Sequence, residues 1–536
     1  MTGAPSGDRP SAGRGRPRHG RGSRWRPPVV LVPVLLFSLS GLTRAADAAS
    51  TTTTKPSGNV TTPAALPQPR PSRFDASGTV SMFPAPGTRT ASPTTTITLR
   101  GAGAAALAAI QVTGAMSGAH PGHFQPQADG MGTGFVPDAA FTPGEKVTVR
   151  AGLAVRGATN GESTFTVARP TTFPTGAAST TASSPKSAST DDLLHFVTRP
   201  DLTPPALKVT TPAKNTAPGD VFLTPANGDS QHGPLIVDNQ GQPVWALPVL
   251  NASVFNLQVQ QYRGQPVLTW FQGPVVDPGV GQGGDVIADA SYHQIAIVRA
   301  VNGYAADIHD MTITPQGTAL LIIYNPVIVD ASSVGGAKNQ HVLEPVVQEI
   351  DIATGALLFE WHGLGSIALK ESYVPVPKSA TATYDYVHPN SVTLDQDGDL
   401  LLSGRYTWAV HKIDRVSATL DWRLGGKLGN FAMPTSAEPA WQHDARRNPD
   451  GTLSVFDDGA GPTVTHKSRG LVLTVDEQAM TATLDHQYLP PKPIQSSSQG
   501  STRLLANGDW FVGWGNLPEY TEYAPDGTVV YDVHFP

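Results

Sequence analysis

A strand-opening phrase recurs four times in the second half of the chain, and this repeat constrains the fold more than any other feature. In each copy a glycine follows Gln, Asp or Asn and opens an apolar run typical of a strand. The copies begin at Gly317, Gly398, Gly451 and Gly508, and each is followed by a second hairpin-like pair of runs. Four short antiparallel strands per repeat are typical of a β-propeller blade.

Two weaker units precede these four, one over residues 222–245 and one over residues 266–298. The repeat therefore predicts an all-β chain with a six-bladed β-propeller over residues 201–536. The composition agrees, because 54 glycines, 49 prolines and 15% charged residues suit a turn-rich β protein better than a helical one.

Short alternating runs between glycine and proline turns also occupy residues 73–168. Strands of this length and spacing predict a small, Ig-like β-sandwich before the propeller. Two segments rich in Thr, Ser, Pro and Ala flank it, and they predict a disordered stalk over residues 49–72 and a flexible linker over residues 169–200.

The N-terminal segment has the pattern of a secretory signal peptide. Seven arginines precede the apolar run 29–42, and Ala46-Asp47-Ala48 offers a small-residue cleavage site. The apolar run is shorter than the roughly 20 residues that a membrane-spanning helix needs. We therefore expect residues 1–48 to be removed and the protein to be secreted or held at the cell surface, without stable membrane insertion after processing.

Composition also excludes several classes of site. The chain has no cysteine, which excludes a disulfide, a thiolate metal site and a cysteine nucleophile. Its formal net charge of −6 argues against binding to nucleic acid.

Three histidines stand at equivalent places in the repeat. His309, His388 and His443 each come shortly before a repeat glycine, at the same end of the innermost strand of a unit. Because innermost strands line the central channel of a propeller, we expect the three imidazoles to meet there. Arg405 ends the inner hairpin of the unit that opens at Gly398 and is a further candidate. Three imidazoles and one guanidinium suit chemistry on a small oxyanion.

Three more residues are candidates for substrate binding. Gln499 and Thr502 occupy the matching place in the last unit, and Asn390 stands two residues after His388. A turn before a strand is the plainer interpretation of the sequence His-Pro-Asn-Ser around Asn390.

Four acidic residues lie near these positions. Asp310 and Asp444 each follow a site histidine directly and are candidates for orienting an imidazole, although neighbours on a strand point to opposite faces. Asp457 and Asp458 fit a solvated turn between strands.

Several phrases together resemble the arylsulfate sulfotransferases, which are exported enzymes that do not use PAPS. The phrases are His-Asp-Met at 309, Tyr-Val-His-Pro-Asn-Ser at 386, Ser-Gly-Arg-Tyr at 403 and Gln-His-Asp-Ala-Arg at 442. The resemblance covers roughly residues 201–536 and implies a six-bladed propeller with a smaller N-terminal β-domain.

By that resemblance the chain moves a sulfuryl group from a phenolic sulfate ester to an acceptor phenol through a sulfohistidine, with ping-pong kinetics. His443 then looks like the nucleophile, and His309, His388 and Arg405 like the groups around the transferred sulfuryl. The implied partners are two small phenolic molecules, and no cofactor or metal is implied.

Besides a quinone-cofactor propeller, whose usual tryptophan spacing this repeat lacks, two other classes of function stay open at the level of sequence. One is an extracellular binding or adhesion propeller without catalysis, since propellers host unrelated functions. The other is a zinc or copper site made by the three histidines, which an arginine in the cluster disfavours. The sequence does not decide whether the chain forms a homodimer.

Overall fold

The computed structural model describes residues 79–101, 103, 110–173, 193–226 and 230–535. Within these ranges the chain forms 35 strands and only short 3₁₀ turns, which confirms the all-β class. The predicted signal peptide, the stalk and residues 174–192 of the predicted linker lie outside the described residues. No helix in the described ranges is long and apolar enough to cross a membrane.

The N-terminal strands form two four-stranded antiparallel sheets. They are β1 (Ser81–Phe83), β2 (Ile97–Arg100), β3 (Ile110–Gly114), β4 (Gly118–Ala119), β5 (Gly122–Pro126), β6 (Gly132–Pro137), β7 (Lys146–Ala151) and β8 (Glu162–Thr166). One sheet has the order β1-β2-β6-β5 and the other the order β4-β3-β7-β8. Leu99, Val147 and Phe165 are buried in one apolar core between them, because alternate residues of each strand face inward.

The strands of the next hundred residues are β9 (Lys208–Thr211), β10 (Val221–Leu223), β11 (Leu235–Val237), β12 (Pro243–Ala246), β13 (Ser253–Tyr262), β14 (Gln265–Gly273), β15 (Val275–Asp277), β16 (Val280–Gly281), β17 (Gly284–Ala288) and β18 (Gln294–Val298). The remaining strands are β19 (Met311–Ile313), β20 (Thr318–Val329), β21 (Gln340–Asp351), β22 (Leu357–His362), β23 (Tyr384–Asp385), β24 (Pro389–Leu394), β25 (Leu400–Gly404), β26 (Ala409–Ile413), β27 (Leu420–Gly425), β28 (His443–Arg447), β29 (Leu453–Asp457), β30 (Arg469–Asp476), β31 (Thr481–Tyr488), β32 (Ser501–Leu504), β33 (Trp510–Gly513), β34 (Glu519–Tyr523) and β35 (Val529–His534).

These strands form six successive antiparallel sheets, which we number in chain order. Their strand orders are β10-β11-β12, β13-β14-β17-β18, β19-β20-β21-β22, β24-β25-β26-β27, β28-β29-β30-β31 and β32-β33-β34-β35-β9. The hairpin β15–β16 is inserted in the second sheet, and β23 runs parallel to β21 beside the third.

The six sheets close into a ring. A separate apolar cluster lies between each pair of neighbouring sheets, and the last cluster joins the sixth sheet to the first. In that last cluster Tyr531 and Val533 of β35 pack with Val221 and Leu235 of the first sheet. Strand β9 precedes the first sheet in the chain but pairs with β35, so hydrogen bonds also hold the two ends of the ring together.

The N-terminal sheets pack against the third sheet of the ring. Phe83 is fully buried in the apolar cluster between the third and fourth sheets, and its ring centroid lies 4.9 Å from that of Phe359. The Gln127 side chain donates a hydrogen bond to the Leu357 carbonyl (2.9 Å), and the Thr96 amide donates one to the Asn302 side chain (3.0 Å). Apolar and polar contacts therefore both fix the N-terminal sheets to the outer edge of the ring.

A buried ionic cluster lies under this contact. His362 Nε2 is 3.1 Å from a Glu360 oxygen, and His362 Nδ1 is 3.3 Å from a Glu344 oxygen. Burial acts to lower the pKa of His362, but the two carboxylates outweigh it and raise that pKa to about 10. The Thr90 hydroxyl of the N-terminal sheets also donates to Glu344. This histidine is therefore a charged structural residue at the junction.

We expect Phe83→Ala to destabilise the whole protein, because it empties a fully buried site shared by the N-terminal sheets and the ring. Loss of a buried phenylalanine costs about 3–5 kcal/mol. Thermal or urea unfolding measures the effect, and Phe124→Ala is the control because Phe124 is 36% exposed. Equal stability of the two variants would contradict the packing described here.

Candidate active site

The ring brings His309, His388 and His443 together at one end of the channel. His309 stands two residues before β19, His388 directly before β24, and His443 is the first residue of β28, so each precedes or begins the innermost strand of its sheet. The ring centroid of His309 lies 5.0 Å from that of His388 and 6.3 Å from that of His443. Residues far apart in sequence thus form one cluster of imidazoles.

A carboxylate holds the Nδ1 atom of His309 and of His388. Asp307 Oδ2 lies 2.5 Å from His309 Nδ1, and Asp385 Oδ2 lies 2.5 Å from His388 Nδ1. Both carboxylates also accept hydrogen bonds from the backbone amides of these histidines, at 3.1 Å and 2.9 Å. His388 has a left-handed backbone with φ of 51°, which turns its ring back toward Asp385. In each ring the Nε2 atom remains for a ligand.

His443 has contacts that fix its tautomer. Its Nδ1 atom lies 2.7 Å from Asp458 Oδ2, and its Nε2 atom accepts a hydrogen bond from the Gln499 amide at 3.1 Å. An imidazole nitrogen that accepts from an amide carries no proton, so the proton of the neutral ring is on Nδ1 and is donated to Asp458. The Nε2 lone pair is therefore the nucleophilic position of the ring.

Burial lowers the pKa of two histidines of the cluster, His443 and His388. It lowers the pKa of His443 well below 6.5, and the nearby Arg405 guanidinium lowers it further. Burial also lowers the pKa of His388, although Asp385 opposes the shift. A neutral imidazole with a free lone pair is the form that can attack an electrophile near pH 7.

Arg405 lies beside the histidines with one donor unused. It begins a 3₁₀ turn after β25, and its side chain is packed between the rings of Tyr406 and Trp441, with centroids 5.1 Å and 5.3 Å from Cζ. Nη2 donates to the Ser497 carbonyl at 2.6 Å, whereas Nε is buried and has no partner among the described residues. A buried guanidinium donor without an acceptor fits an anionic ligand.

The predicted substrate-binding residues have different surroundings. Gln499 contacts His443 through its backbone amide, in a left-handed conformation with φ of 66°. Asn390 donates to the Gln442 carbonyl at 2.7 Å, and its Oδ1 atom is buried without a partner in the described part of the chain. The Thr502 side chain lies against Gly470 of the fifth sheet, so it packs between sheets.

The acidic residues differ from expectation. Asp457 and Asp458 are completely buried, so the prediction of a solvated turn is wrong: Asp457 ends β29 and pairs with Arg469, and Asp458 follows it and lies against His443. Asp310 and Asp444 contact no imidazole and instead hold Arg446 at 2.8 Å each.

The orienting carboxylates were therefore missed. Asp307 and Asp385 stand two and three residues before their histidines, a local signal that the sequence offered. Asp458 lies 15 residues after His443 and meets it only through the pairing of β28 with β29.

One acidic group elsewhere could suggest a metal site. Asp395, Asp397 and Glu477 have carboxylate oxygens close together, but the ammonium of Lys412 lies 2.7–3.0 Å from all three. An ammonium already neutralises this group, and it needs no metal ion.

Comparison with known sequences now decides the family. The sequence model of the arylsulfotransferase (ASST) family matches residues 258–536, just over half of the chain. The chain belongs to the arylsulfotransferase family. A search among curated proteins gave no match.

Several solved structures share a distant likeness with this arylsulfotransferase family member. A protein of unknown function from Bacteroides caccae is 13% identical, with a TM-score of 0.34, over 56% of this chain and 88% of its own. A virginiamycin B lyase from Staphylococcus aureus is 11% identical, with a TM-score of 0.31, over 60% and 86%. Hydrazine synthase of Kuenenia stuttgartiensis is 12% identical, with a TM-score of 0.31, over 57% and 74%. At these TM-scores the likenesses say nothing about activity.

The pKa shifts predict opposite titration of two histidines. His443 should stay uncharged when the pH falls below 6.5, and His362 should stay charged until the pH approaches about 10. The pH dependence of the imidazole nitrogen NMR chemical shifts measures both pKa values. The signals are assigned by their absence from His443→Ala and His362→Ala.

The two pKa shifts make the stability of the fold depend on pH in opposite ranges. The raised pKa of His362 stabilises the fold fully below pH 6.5, and this contribution is lost as the pH rises through about 10. The lowered pKa of His443 destabilises the fold as the pH falls below 6.5, because the unfolded chain then binds the proton more readily. Titration of His443 at or above its ordinary pKa would contradict the burial of the site.

Proposed function

We propose that this protein transfers a sulfuryl group from a phenolic sulfate ester to an acceptor phenol, without PAPS, through a sulfohistidine at His443. Family membership supports arylsulfotransferase activity in general. The observation that supports a sulfohistidine at His443 is the environment of its ring. Asp458 accepts the Nδ1 proton, and the Nε2 lone pair accepts from the Gln499 amide beside Arg405.

In the first half-reaction the Nε2 lone pair of His443 attacks the sulfur atom of the donor. The N–S bond forms as the bond from sulfur to the phenolic oxygen breaks, and that oxygen keeps the electron pair. A second imidazole, His309 or His388, enters this step protonated on Nε2, with its aspartate on Nδ1, and gives the Nε2 proton to the leaving phenolate. Asp458 stabilises the positive charge that develops on the His443 ring, much as carboxylates do in other histidine-dependent transfers.

In the second half-reaction the acceptor phenol attacks the same sulfur atom. The new O–S bond forms as the N–S bond breaks, His443 recovers its lone pair, and the phenol proton returns to the second imidazole. One product leaves before the acceptor reacts, so ping-pong kinetics are expected.

The remaining contacts suit the three sulfuryl oxygens. Arg405 has its unpaired Nε donor for one of them, and this fixed charge is available throughout the transfer. The Gln499 amide donates to Nε2 in the unliganded protein and must give up that bond when Nε2 is sulfated. The Gln499 amide can then donate to an oxygen of the sulfuryl group on Nε2.

We expect His443→Ala to lower the phenol-dependent release of nitrophenolate from 4-nitrophenyl sulfate by about 10⁴-fold or more, as loss of a covalent nucleophile does in other enzymes. The matched control is His486→Ala, because His486 lies in the same sheet but is exposed. Intact mass after incubation with donor alone should reveal one sulfuryl adduct on the wild type and none on His443→Ala.

The outcomes separate the alternatives. Persistent turnover and adduct in His443→Ala would contradict the assigned nucleophile but keep the activity. No release from a panel of aryl sulfates would contradict the transfer itself and favour a propeller that only binds. If His486→Ala also loses activity, the loss in His443→Ala is explained by damage to the fifth sheet and not by removal of a nucleophile.

We further propose that the protein acts outside the cytoplasm, after removal of residues 1–48. The basic segment, the apolar run 29–42 and the Ala46-Asp47-Ala48 site support this. Expression of the full chain in a secreting bacterial host should yield a protein whose N-terminus is Ala49, read by N-terminal sequencing of the medium or envelope fraction. An intact N-terminus on a cytoplasmic protein would contradict the proposal.

A further inference from the structure

The hairpin β15–β16 reaches from the second sheet to two of the site histidines. The Gly281 amide donates to Asp307 Oδ1 at 2.8 Å, and the other oxygen of Asp307 holds His309. Val280 anchors the hairpin because it is buried in the apolar cluster between the third and fourth sheets. The hairpin is therefore a fixed wall of the site.

The tip of this hairpin lies against His388. A Cβ atom at Gly279 would be 3.1 Å from His388 Cε1 and 3.5 Å from His388 Nε2, while the residue itself is exposed and has φ of 75°. The imidazole nitrogen that faces the substrate is thus bordered by the hairpin tip. Any larger residue at position 279 would crowd that nitrogen.

Asp277, on the same hairpin, is a half-buried carboxylate without a hydrogen bond or ion pair among the described residues. Burial raises its pKa, and Asp385 raises it further. Tyr406 also borders His388, because its ring centroid lies 4.7 Å from that of His388; burial raises the pKa of Tyr406, and Asp385 and Asp277 raise it further. In the register of the hairpin Asp277 pairs with Val280, which places it next to the Gly279 tip that lies against His388.

We propose that the β15–β16 hairpin selects the aryl substrate, and that Asp277 favours acceptor phenols that carry a positively charged amine. The inference rests on the proposed sulfuryl transfer and names a substrate class for it. A cation near Asp277 would gain an ion pair, would relieve the repulsion between Asp277 and Asp385, and could also contact the face of Tyr406.

The two ends of the site differ in charge and would bind different groups of the substrate. At the proposed sulfuryl end stand two hydrogen-bond donors: Nε of Arg405, which is buried without a partner among the described residues, and the Gln499 amide, which donates to His443 Nε2. The hairpin side presents Asp277 without a counter-charge in the described ranges. A substrate with an anionic sulfuryl end and a cationic far end would match both sides.

The first experiment measures binding and does not depend on turnover. Tyramine and 4-ethylphenol share the phenol ring and differ in the ammonium group, so calorimetric titration of the wild-type protein with each isolates the effect of charge. We expect tyramine to bind about three- to fivefold more tightly, as a half-exposed ion pair allows. The difference should disappear in Asp277→Asn and should shrink as salt is raised.

The second experiment measures the ratio of kcat/KM for the two acceptors, with 4-nitrophenyl sulfate as donor. Asp277→Asn should lower this ratio by about three- to fivefold. Gly279→Ala should lower kcat/KM for both acceptors because its Cβ crowds His388. Gly264→Ala is its matched control, since Gly264 lies in the same sheet with φ of 73° and nothing within 4 Å of a Cβ.

Two outcomes would overturn the inference. Equal binding of tyramine and 4-ethylphenol by the wild type would reject a cation-selective site, whether or not the protein turns over. An Asp277→Asn variant that keeps the preference for tyramine would reject the assigned residue. Absence of sulfuryl transfer with normal preference for tyramine would instead contradict the proposed function and leave the binding site standing.

Discussion

Closure of the ring is the constraint on which the site depends. His309, His388 and His443 come from three neighbouring sheets, and the Gln499 amide that faces His443 comes from the connection into a fourth. None of these contacts is local in sequence. They exist because apolar side chains fill the space between every pair of sheets and because β9 pairs with β35. Without that closure the sheets could splay apart, and the imidazoles would separate with them.

Within the closed ring, electrostatics distinguish structural histidines from reactive ones. His362 has two carboxylates, and they outweigh burial, so it is held as a cation at the junction with the N-terminal sheets. His443 has one carboxylate but also lies beside Arg405 and two other imidazoles, and burial prevails. The same residue type is thus a fixed charge in one place and an uncharged imidazole, the proposed nucleophile, in the other. The difference arises from the balance of neighbouring charges against desolvation.

The all-β class and the equivalent places of the three histidines could be predicted from the sequence. A repeat shows both the pattern of strands and the position of each residue within that pattern. The sequence did not allow Asp458 to be found, since its contact with His443 depends on the pairing of β28 with β29, which are separate in sequence. For Thr502 the repeat was a poor guide to function. Its place in the repeat matches the others, but which face of a strand meets the channel depends on packing between sheets.

The proposed catalytic residues and the hairpin proposed to select the substrate have different origins. The histidines and Arg405 lie at strand ends of the repeat, where the ring fixes their positions. The β15–β16 hairpin is an insertion, and it touches the chemistry through one amide on Asp307 and one glycine beside His388. Insertions tolerate change better than strands that fill a core. A ring that keeps its histidines can therefore acquire new substrates by altering Asp277 and its neighbours, provided that residue 279 stays small enough to leave His388 uncovered.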